Sequence, residues 1–304
     1  MTTDRRGLAY GVGAYFLWGL FPLYWPHLKP AGAPEVLAHR VVWSLLFVVV
    51  LQRLLARRIG GGGLRAVLAE PRRLALLSLA AVLIGVNWLV YICAVNTDHI
   101  VETSLGYFVN PLMTVGLAVL VLRERLRRAQ WAAIGIATVA VAGLTVEYGR
   151  LPWIALVLAG TFAAYALIKK TVGVGAVDGL TVETAVLVVP ALAYLAWLQN
   201  TDDLAFGHHG AGHGLLLASA GVATAVPLLL FAAAAGRVPL TTIGLLQYIA
   251  PTLQFLTGIL VAHEPLPPAR LAGFALVWLA LVVFTVDALR ARRRNLRPVV
   301  EVVP

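Results

Sequence analysis

The stretch Glu102-Thr-Ser-Leu-Gly-Tyr-Phe-Val-Asn-Pro-Leu112 places a carboxylate, a phenol, an amide and a proline inside an apolar run that reaches Leu122. A helix that only has to contact lipid does not need these groups. Pro111 lies about halfway along the run, where proline removes the amide bond to the carbonyl four residues earlier, that of Tyr107. We expect this helix to bend near Pro111 and to line a functional site.

A second copy of the pattern lies in the other half of the chain. Leu246-Gln-Tyr-Ile-Ala-Pro251 is centred in an apolar run over 240–262, so that Pro251 frees the carbonyl of Gln247, the residue aligned with Tyr107. Both prolines are followed at the same interval by a glutamate, Glu124 or Glu264. The chain therefore contains an internal repeat, and we expect these two glutamates to cap the helices that follow them.

The composition is typical of an integral membrane protein. Of 304 residues, 60% are apolar and only 12% are charged. A helix needs roughly 20 apolar residues to cross a bilayer. Ten such spans are predicted, at about 7–25, 33–52, 73–95, 99–122, 129–146, 151–169, 179–199, 214–235, 239–262 and 269–289.

The net charge of +10 is distributed unevenly over the connections between these spans. If both termini are cytoplasmic, only Lys29, Arg150 and Arg270 lie outside and Arg40 lies within a span. All other cations then lie inside, including a basic tail around Arg290–Arg297. This is the positive-inside bias of a multi-pass protein, and it favours a lipid bilayer over nucleic acid as the partner of the basic residues.

The repeat determines the predicted architecture. Five spans per repeat is an odd number, so the two halves must enter the membrane from opposite sides. In inverted-topology proteins the solute site lies near the midplane between the halves, where helices are interrupted. We therefore predict an all-α integral membrane protein with ten transmembrane helices in two inverted five-helix repeats, residues 1–148 and 149–290, followed by a basic cytoplasmic tail, 291–304.

Polar and aromatic side chains within the spans are the candidate site residues. Tyr24 and Trp25 have the character of an aromatic belt at the interface, whereas Tyr15 and Trp18 are deeper and suit a cavity wall. Arginine within a span is rare and normally faces a partner or water. The cluster of Glu35, His39 and Arg40 is therefore either functional or a structural ion pair, with helix-start chemistry a further alternative for Glu35. Asn87 either bonds a neighbouring helix or lines a pathway.

Other motifs give little support to other functions. The Gly60–Gly63 run is not a phosphate loop, because no Gly-Lys-Ser/Thr follows it. Cys93 is the only cysteine, which excludes an internal disulfide. The loop Asp202–His213 contains three histidines, but histidine spacing alone is weak support for a metal site in so glycine-rich a segment. We predict no metal and no cofactor.

The sequence resembles the drug/metabolite transporter superfamily of the EamA type, and within it the RarD proteins. The segments that carry the resemblance cover most of the chain: 39–44, 84–96, 102–112, 224–230 and 246–252. It implies ten helices in two inverted repeats, a bacterial inner membrane, and export of small molecules or drugs, since RarD relatives are commonly labelled chloramphenicol permeases. Related small multidrug resistance proteins bind protons at a glutamate in their first helix, but residues 7–25 contain no acid. Proton coupling would need another group, with Glu102, Glu35 and Glu183 as candidates.

Together these features predict a secondary transporter of small metabolites or drugs, such as amphenicols or amino-acid-like solutes, that works by alternating access. The alternatives are a membrane-embedded lipid-modifying enzyme, for which Asp202–His213 is the candidate site, and a membrane scaffold, which gives no reason for polar groups inside spans. The predicted cavity residues are Tyr15, Trp18, Glu35, His39, Arg40, Asn87, Trp88, Glu102, Tyr107, Asn110, Glu183, Gln247 and Tyr248, with gating at Pro111 and Pro251.

Overall fold

A computed structural model describes residues 4–59, 67–122, 126–174, 176–235, 237–238 and 240–295, most of them in α-helices. The helices are α1 (Arg5–Gly19), α2 (Phe21–Tyr24), α3 (Ala33–Ile59), α4 (Pro71–Asn96), α5 (Ile100–Leu122), α6 (Arg128–Tyr148), α7 (Trp153–Val172), α8 (Ala176–Asn200), α9 (Gly210–Ala235), α10 (Leu240–Leu246), α11 (Ile249–Leu260) and α12 (Pro268–Asn295). The Gly60–Gly63 run, the predicted cap at Glu124 and the end of the basic tail lie outside the described residues.

Eight stretches of the described residues are long and apolar enough to cross a membrane. This confirms a multi-pass membrane protein. They are Ala33–Leu51, Pro71–Asn96, Ile100–Val121, Arg128–Tyr148, Val177–Asn200, Gly210–Phe231, Thr242–Leu260 and Pro268–Arg290. Two further predicted spans are shorter or divided. The apolar part of α7 is Trp153–Lys169, and the predicted span 7–25 is split between α1 and α2.

The first predicted span does not continue as one straight helix to Trp25. Helix α1 ends at Gly19, and α2 is followed by a 3₁₀ turn over Trp25–Leu28. Pro22 and Pro26 supply no backbone N–H, so each favours the start of a short helical segment and disfavours its extension. The chain folds back here, and Trp25 becomes fully buried. The prediction that Trp25 belongs to an interfacial aromatic belt is therefore wrong.

The two mid-span prolines have different surroundings. Helix α5 continues through Pro111, which lies inside it. In the second half, α10 ends at Leu246 and α11 begins at Ile249, so Gln247 and Tyr248 lie at a break and Pro251 follows in the first turn of α11. A proline is tolerated in a first turn because the amide it replaces would have no helical partner.

Small residues bring the helices close together. A Cβ at Gly106 of α5 would lie 2.8 Å from the carbonyl oxygen of Ala155 in α7. Between α6 and α12, Ala137, Ala140 and Ala280 are buried in a shared apolar cluster. In a membrane, association depends on close packing more than on exclusion of water, and small side chains permit it.

The contacts between helices follow a repeating pattern. If α10 and α11 count as one span, the most extensive contacts between two spans recur between the two spans that lie five places further along the chain, returning to the first span after the tenth. Helix α5 packs on α7, α4 on α7, and α3 on α9. The shifted counterparts are α1 on α11, α1 on α9, and α4 on α8, and each of these pairs is in contact. The pairs α3–α8, α5–α11 and α6–α12 map onto themselves and join the two halves. This pattern is the one expected of a duplicated five-helix unit.

Candidate functional site

Arg40 is the most unusual side chain in the interior. It is only 3% exposed, and its Nε donates to Thr224 Oγ1 of α9 at 2.7 Å. Its guanidinium carbon lies 4.0 Å from the centre of the Trp88 ring and 5.2 Å from that of Trp25. None of the ion pairs formed by the described residues includes Arg40. Aromatic faces and one hydroxyl therefore hold a buried cation.

Asn87, on α4, joins the two halves beside this cation. Its amide nitrogen donates to the Leu158 carbonyl and to Thr161 Oγ1 of α7, each at 2.9 Å. Its amide oxygen accepts from the hydroxyl of Tyr107 at 3.2 Å. Both alternatives for Asn87 thus remain compatible with the structure, because the side chain bonds a neighbouring helix and also lies close to Tyr107 and Trp88.

Glu35 and His39 lie on the face of α3 that meets the 200–210 loop. Glu35 Oε1 accepts the backbone amides of Ala205 and Phe206, both at 3.0 Å. His39 Nε2 is 3.8 Å from the same oxygen, and its ring stacks on that of Phe206 with centroids 4.6 Å apart. The residues predicted as one cluster therefore divide: Glu35 and His39 fix a loop, while Arg40 faces the aromatic interior.

Glu102 fixes the start of α7. The carboxylate is buried and accepts from Arg150 Nη2 at 2.7 Å and from the backbone amide of Ile154 at 3.2 Å. Ile154 is in the first turn of α7, where amides lack helical partners and anions are favoured. Arg150 was not a predicted site residue, although it is one of only three cations that the sequence predicts to lie outside, which was a usable signal.

Glu264 also contacts the other half of the chain. Its carboxylate accepts the backbone amide of Ile100 and, at 3.0 Å, that of Val101. It therefore caps α5 and not the helix that follows it, so the prediction that Glu264 caps the last span is wrong. The reason is geometric: the turn after α11 brings the carboxylate to the exposed amides of α5. We define the outer carboxylates as Glu35, Glu102 and Glu264, because the predicted orientation places all three at the external ends of their spans.

The pH dependence of stability provides a check on Glu264. Burial raises the pKa of its carboxyl, and the amides of Val101 and Ile100 offset part of that effect. A raised pKa in the folded state means that the stability contribution is greatest at low pH and falls as the pH rises through that pKa. The thermal midpoint of wild type relative to Glu264→Gln should therefore decline as the pH is raised from acid toward neutral. A difference in thermal midpoint between wild type and Glu264→Gln that stays constant over that range would contradict a raised pKa for Glu264.

The remaining predicted site residues lie in four other places. Tyr15 and Trp18 pack edge to face, with ring centroids 5.3 Å apart, in a cluster with Phe231. Glu183 of α8 accepts from Lys169 Nζ at 2.6 Å and from the Tyr165 hydroxyl at 3.1 Å. Asn110 is buried in α5. Beside the break at Gln247, Tyr248 lines a cavity of about 530 Å³ together with Phe108, Phe255 and Trp278.

The histidine-rich loop does not form a compact ligand set. His213 Nε2 lies 2.9 Å from the carbonyl oxygen of Leu28, and His208 and His209 are exposed. Within the described ranges, no group of three or more His, Cys, Asp or Glu side chains is placed to hold a metal ion.

Trp25, Thr224 and Thr161 are site residues that the sequence reasoning missed. For Trp25 the signal was the pair of flanking prolines, which favour a turn. Thr224 lies in one of the segments that carry the family resemblance, but a threonine within an apolar span does not by itself indicate a partner for Arg40.

Comparison with known proteins gives a consistent family. The EamA-like transporter family model matches residues 5–146. The chain is 57% identical over 292 residues to protein RarD of Streptomyces exfoliatus, covering 96% of this chain and 92% of the relative. It is 44% identical over 296 residues to an uncharacterized transporter of Pseudomonas aeruginosa, covering 97% of this chain and 98% of the relative.

The crystal structure of another protein has the same fold as this chain. It aligns with a TM-score of 0.59 and 19% sequence identity, covering 93% of this chain and 98% of the other. At that identity the comparison concerns the arrangement of helices alone.

Proposed function

The chain belongs to the RarD group of the EamA-like transporter family, a family of membrane transporters, and from that premise we propose the solute class, the mechanism and the orientation. The protein is a secondary exporter or permease of small metabolites or drugs, such as amphenicols or amino-acid-like solutes. It lies in the bacterial cytoplasmic membrane with ten crossings and both termini in the cytoplasm. Alternating exposure of a cavity between the halves moves the solute, without a cofactor.

One observation carries the proposal: the polar interior groups bond across the two halves. Arg40 of α3 donates to Thr224 of α9, and Asn87 of α4 donates to Leu158 and Thr161 of α7. Buried polar groups in a membrane interior are costly and normally mark a solute or ion pathway. Their position between the halves supports a site whose access changes when the halves move.

The helix pairing supports an inverted repeat. Contacts that recur under a shift of five spans are expected when two copies of an odd-numbered unit pack around a two-fold axis in the membrane plane. The break at Gln247 and Tyr248 supplies the interrupted helix that such transporters use near their sites.

The outer carboxylates supply a closure for the external side. Each of the three accepts backbone amides or a guanidinium from the opposite half. An outward-open state would have to break these bonds. Protonation of Glu35 or Glu102 would weaken their bonds, because a neutral carboxyl is a poorer acceptor than a carboxylate. Glu264 acts in the opposite direction, since its raised pKa means that proton binding favours the closed state. If protons drive transport, we place their effect here, with Glu183 as the candidate on the inner side.

The test is counterflow of labelled chloramphenicol and labelled phenylalanine in proteoliposomes. Wild-type protein should give saturable flux of at least one of them. Asn87→Leu removes a cross-half contact and a polar group of the cavity, and we expect flux to fall about 10-fold or more. Thr138→Ala is the matched control, because Thr138 is exposed and, among the described residues, its hydroxyl bonds only the Ile134 carbonyl of its own helix.

Two results would contradict the proposal. One is wild-type flux no greater than in protein-free liposomes for both solutes. The other is unchanged flux in a correctly folded Asn87→Leu variant, which would remove the site assignment. An imposed pH gradient that leaves flux unchanged would assign facilitated movement without proton coupling.

A further inference from the structure

Three buried donors in one packed cluster have no hydrogen-bond partner among the described residues. They are Trp25 Nε1, Arg40 Nη1 and the hydroxyl of Tyr91. Trp25 and Tyr91 belong to the same apolar cluster. The guanidinium lies over the Trp25 ring and over the ring of Trp88, and Tyr91 follows Trp88 by one turn of α4. Most buried polar side-chain atoms in proteins are hydrogen-bonded, so three unpaired groups in one place require an explanation.

The missing group is an acceptor. An indole N–H and a guanidinium N–H can only donate, and a phenol donates as readily as it accepts. A buried guanidinium without an anion is costly, because it has lost its hydration and gained no opposite charge. An anion bound within this cluster would supply acceptors for these donors and compensate the charge of Arg40.

The surrounding side chains indicate what the anion is attached to. The Trp88 ring lies 4.0 Å and the Phe21 ring 5.6 Å from the guanidinium carbon, so the walls beside the donors are flat and apolar. Planar guanidinium groups pair with carboxylates through two parallel hydrogen bonds. The matching ligand is a carboxylate on a flat or apolar body.

We propose that Arg40, Trp25 and Tyr91 form an anion-recognition subsite of the transport cavity, and that the transported solutes are small organic carboxylates with an apolar body. The proposal rests on the function proposed above and narrows its solute class. Thr224, which positions the guanidinium, comes from the other half of the chain. Separation of α3 from α9 would therefore expose Arg40 to the solute.

The experiment compares phenylacetate with its neutral, nearly isosteric amide, phenylacetamide. Binding to the purified full-length protein in detergent is measured by calorimetry and by tryptophan fluorescence. Wild type should bind phenylacetate about 10-fold or more tightly than phenylacetamide. Arg40→Gln should abolish that preference, and Trp25→Phe, which keeps a ring but removes the donor, should reduce it several-fold. Arg237→Gln removes an exposed cation and is the matched control; it should keep the preference.

Equal affinity of wild type for acid and amide would overturn the subsite, as would a preference that survives Arg40→Gln. Displacement of phenylacetate by an equal concentration of chloride would assign the donors to an inorganic ion and also overturn it. If Arg40→Gln does not fold, Trp25→Phe and Thr224→Val decide, and an unchanged preference in both would reject the proposal. An Arg40-dependent preference without flux in liposomes would refute transport while leaving the subsite in place. Flux in liposomes without a preference for phenylacetate would refute the subsite while leaving the transport function in place.

Discussion

Gly221→Val is expected to be among the most destabilising single substitutions in this chain. Gly221 of α9 packs directly on the backbone of α3: a Cβ there would overlap the carbonyl carbon of Trp43 and lie 2.6 Å from the amide nitrogen of Ser44. Backbone atoms cannot move aside as a side chain does, so the two helices would have to separate. We expect the free energy of unfolding to fall by about 3 kcal/mol. The hydrogen bond between Arg40 and Thr224 should be lost as well. Thermal unfolding of the detergent-solubilised protein measures the effect.

The control is Gly116→Ala, because nothing lies within 4 Å of a Cβ at that position of α5. Alanine also has a higher helix propensity than glycine, so this variant should be as stable as wild type or slightly more so. A thermal midpoint for Gly221→Val close to that of wild type would show that α3 and α9 are not in the close contact described.

Arg150→Ala should reduce the stability of the fold more than Glu102→Gln does, although Arg150 is the more exposed member of this ion pair. The Glu102 side chain is 2% exposed and that of Arg150 is 39% exposed. Removing the arginine leaves a buried carboxylate with only the Ile154 amide, whereas Glu102→Gln leaves a cation that water can reach. Removing one partner of a fully buried ion pair lowers the free energy of unfolding by about 3–5 kcal/mol. Because Arg150 is partly exposed, we expect Arg150→Ala to lower it by about 2 kcal/mol.

The double variant is the decisive measurement. Glu102→Gln should partly restore the stability of Arg150→Ala, because it removes the unpaired charge. Arg270 and Glu147 form the comparison pair on the same side of the bundle, 3.9 Å apart with both side chains partly exposed. Glu147→Gln should not rescue Arg270→Ala. If Glu102→Gln lowers the stability of Arg150→Ala further, the capping interaction with Ile154 outweighs the charge.

Much of the architecture was accessible from the amino-acid pattern. The membrane class followed from the length of the apolar runs, since lipid requires each spanning helix to bond its own backbone. Pro111 and Pro251 are the basis of the predicted repeat, but the pattern did not predict the surroundings of either proline. Whether a helix continues through a proline depends on the neighbours that pack against it, and a single sequence contains no record of those neighbours.

The candidate site was only partly accessible. Arg40, Asn87 and Tyr107 were identifiable because polar groups within spans are rare. The partners were not, because Thr224 and Leu158 are distant in sequence and resemble many other residues of their spans. Glu264 shows the same limit: its nearest helix in sequence is α12, while its nearest free amides in space belong to α5.

The outer carboxylates also affect how the protein is made. Glu35 and Glu102 belong to the first half, and each bonds backbone of the second half. Until these parts of the second half have been synthesised, the two acids lack the backbone amides that they accept in the folded protein. They must stay hydrated or protonated, or lie against the insertion machinery, until α7 and the 200–210 loop arrive. The helices that precede α7 therefore cannot complete their own packing, which is finished only after the 200–210 loop has been synthesised.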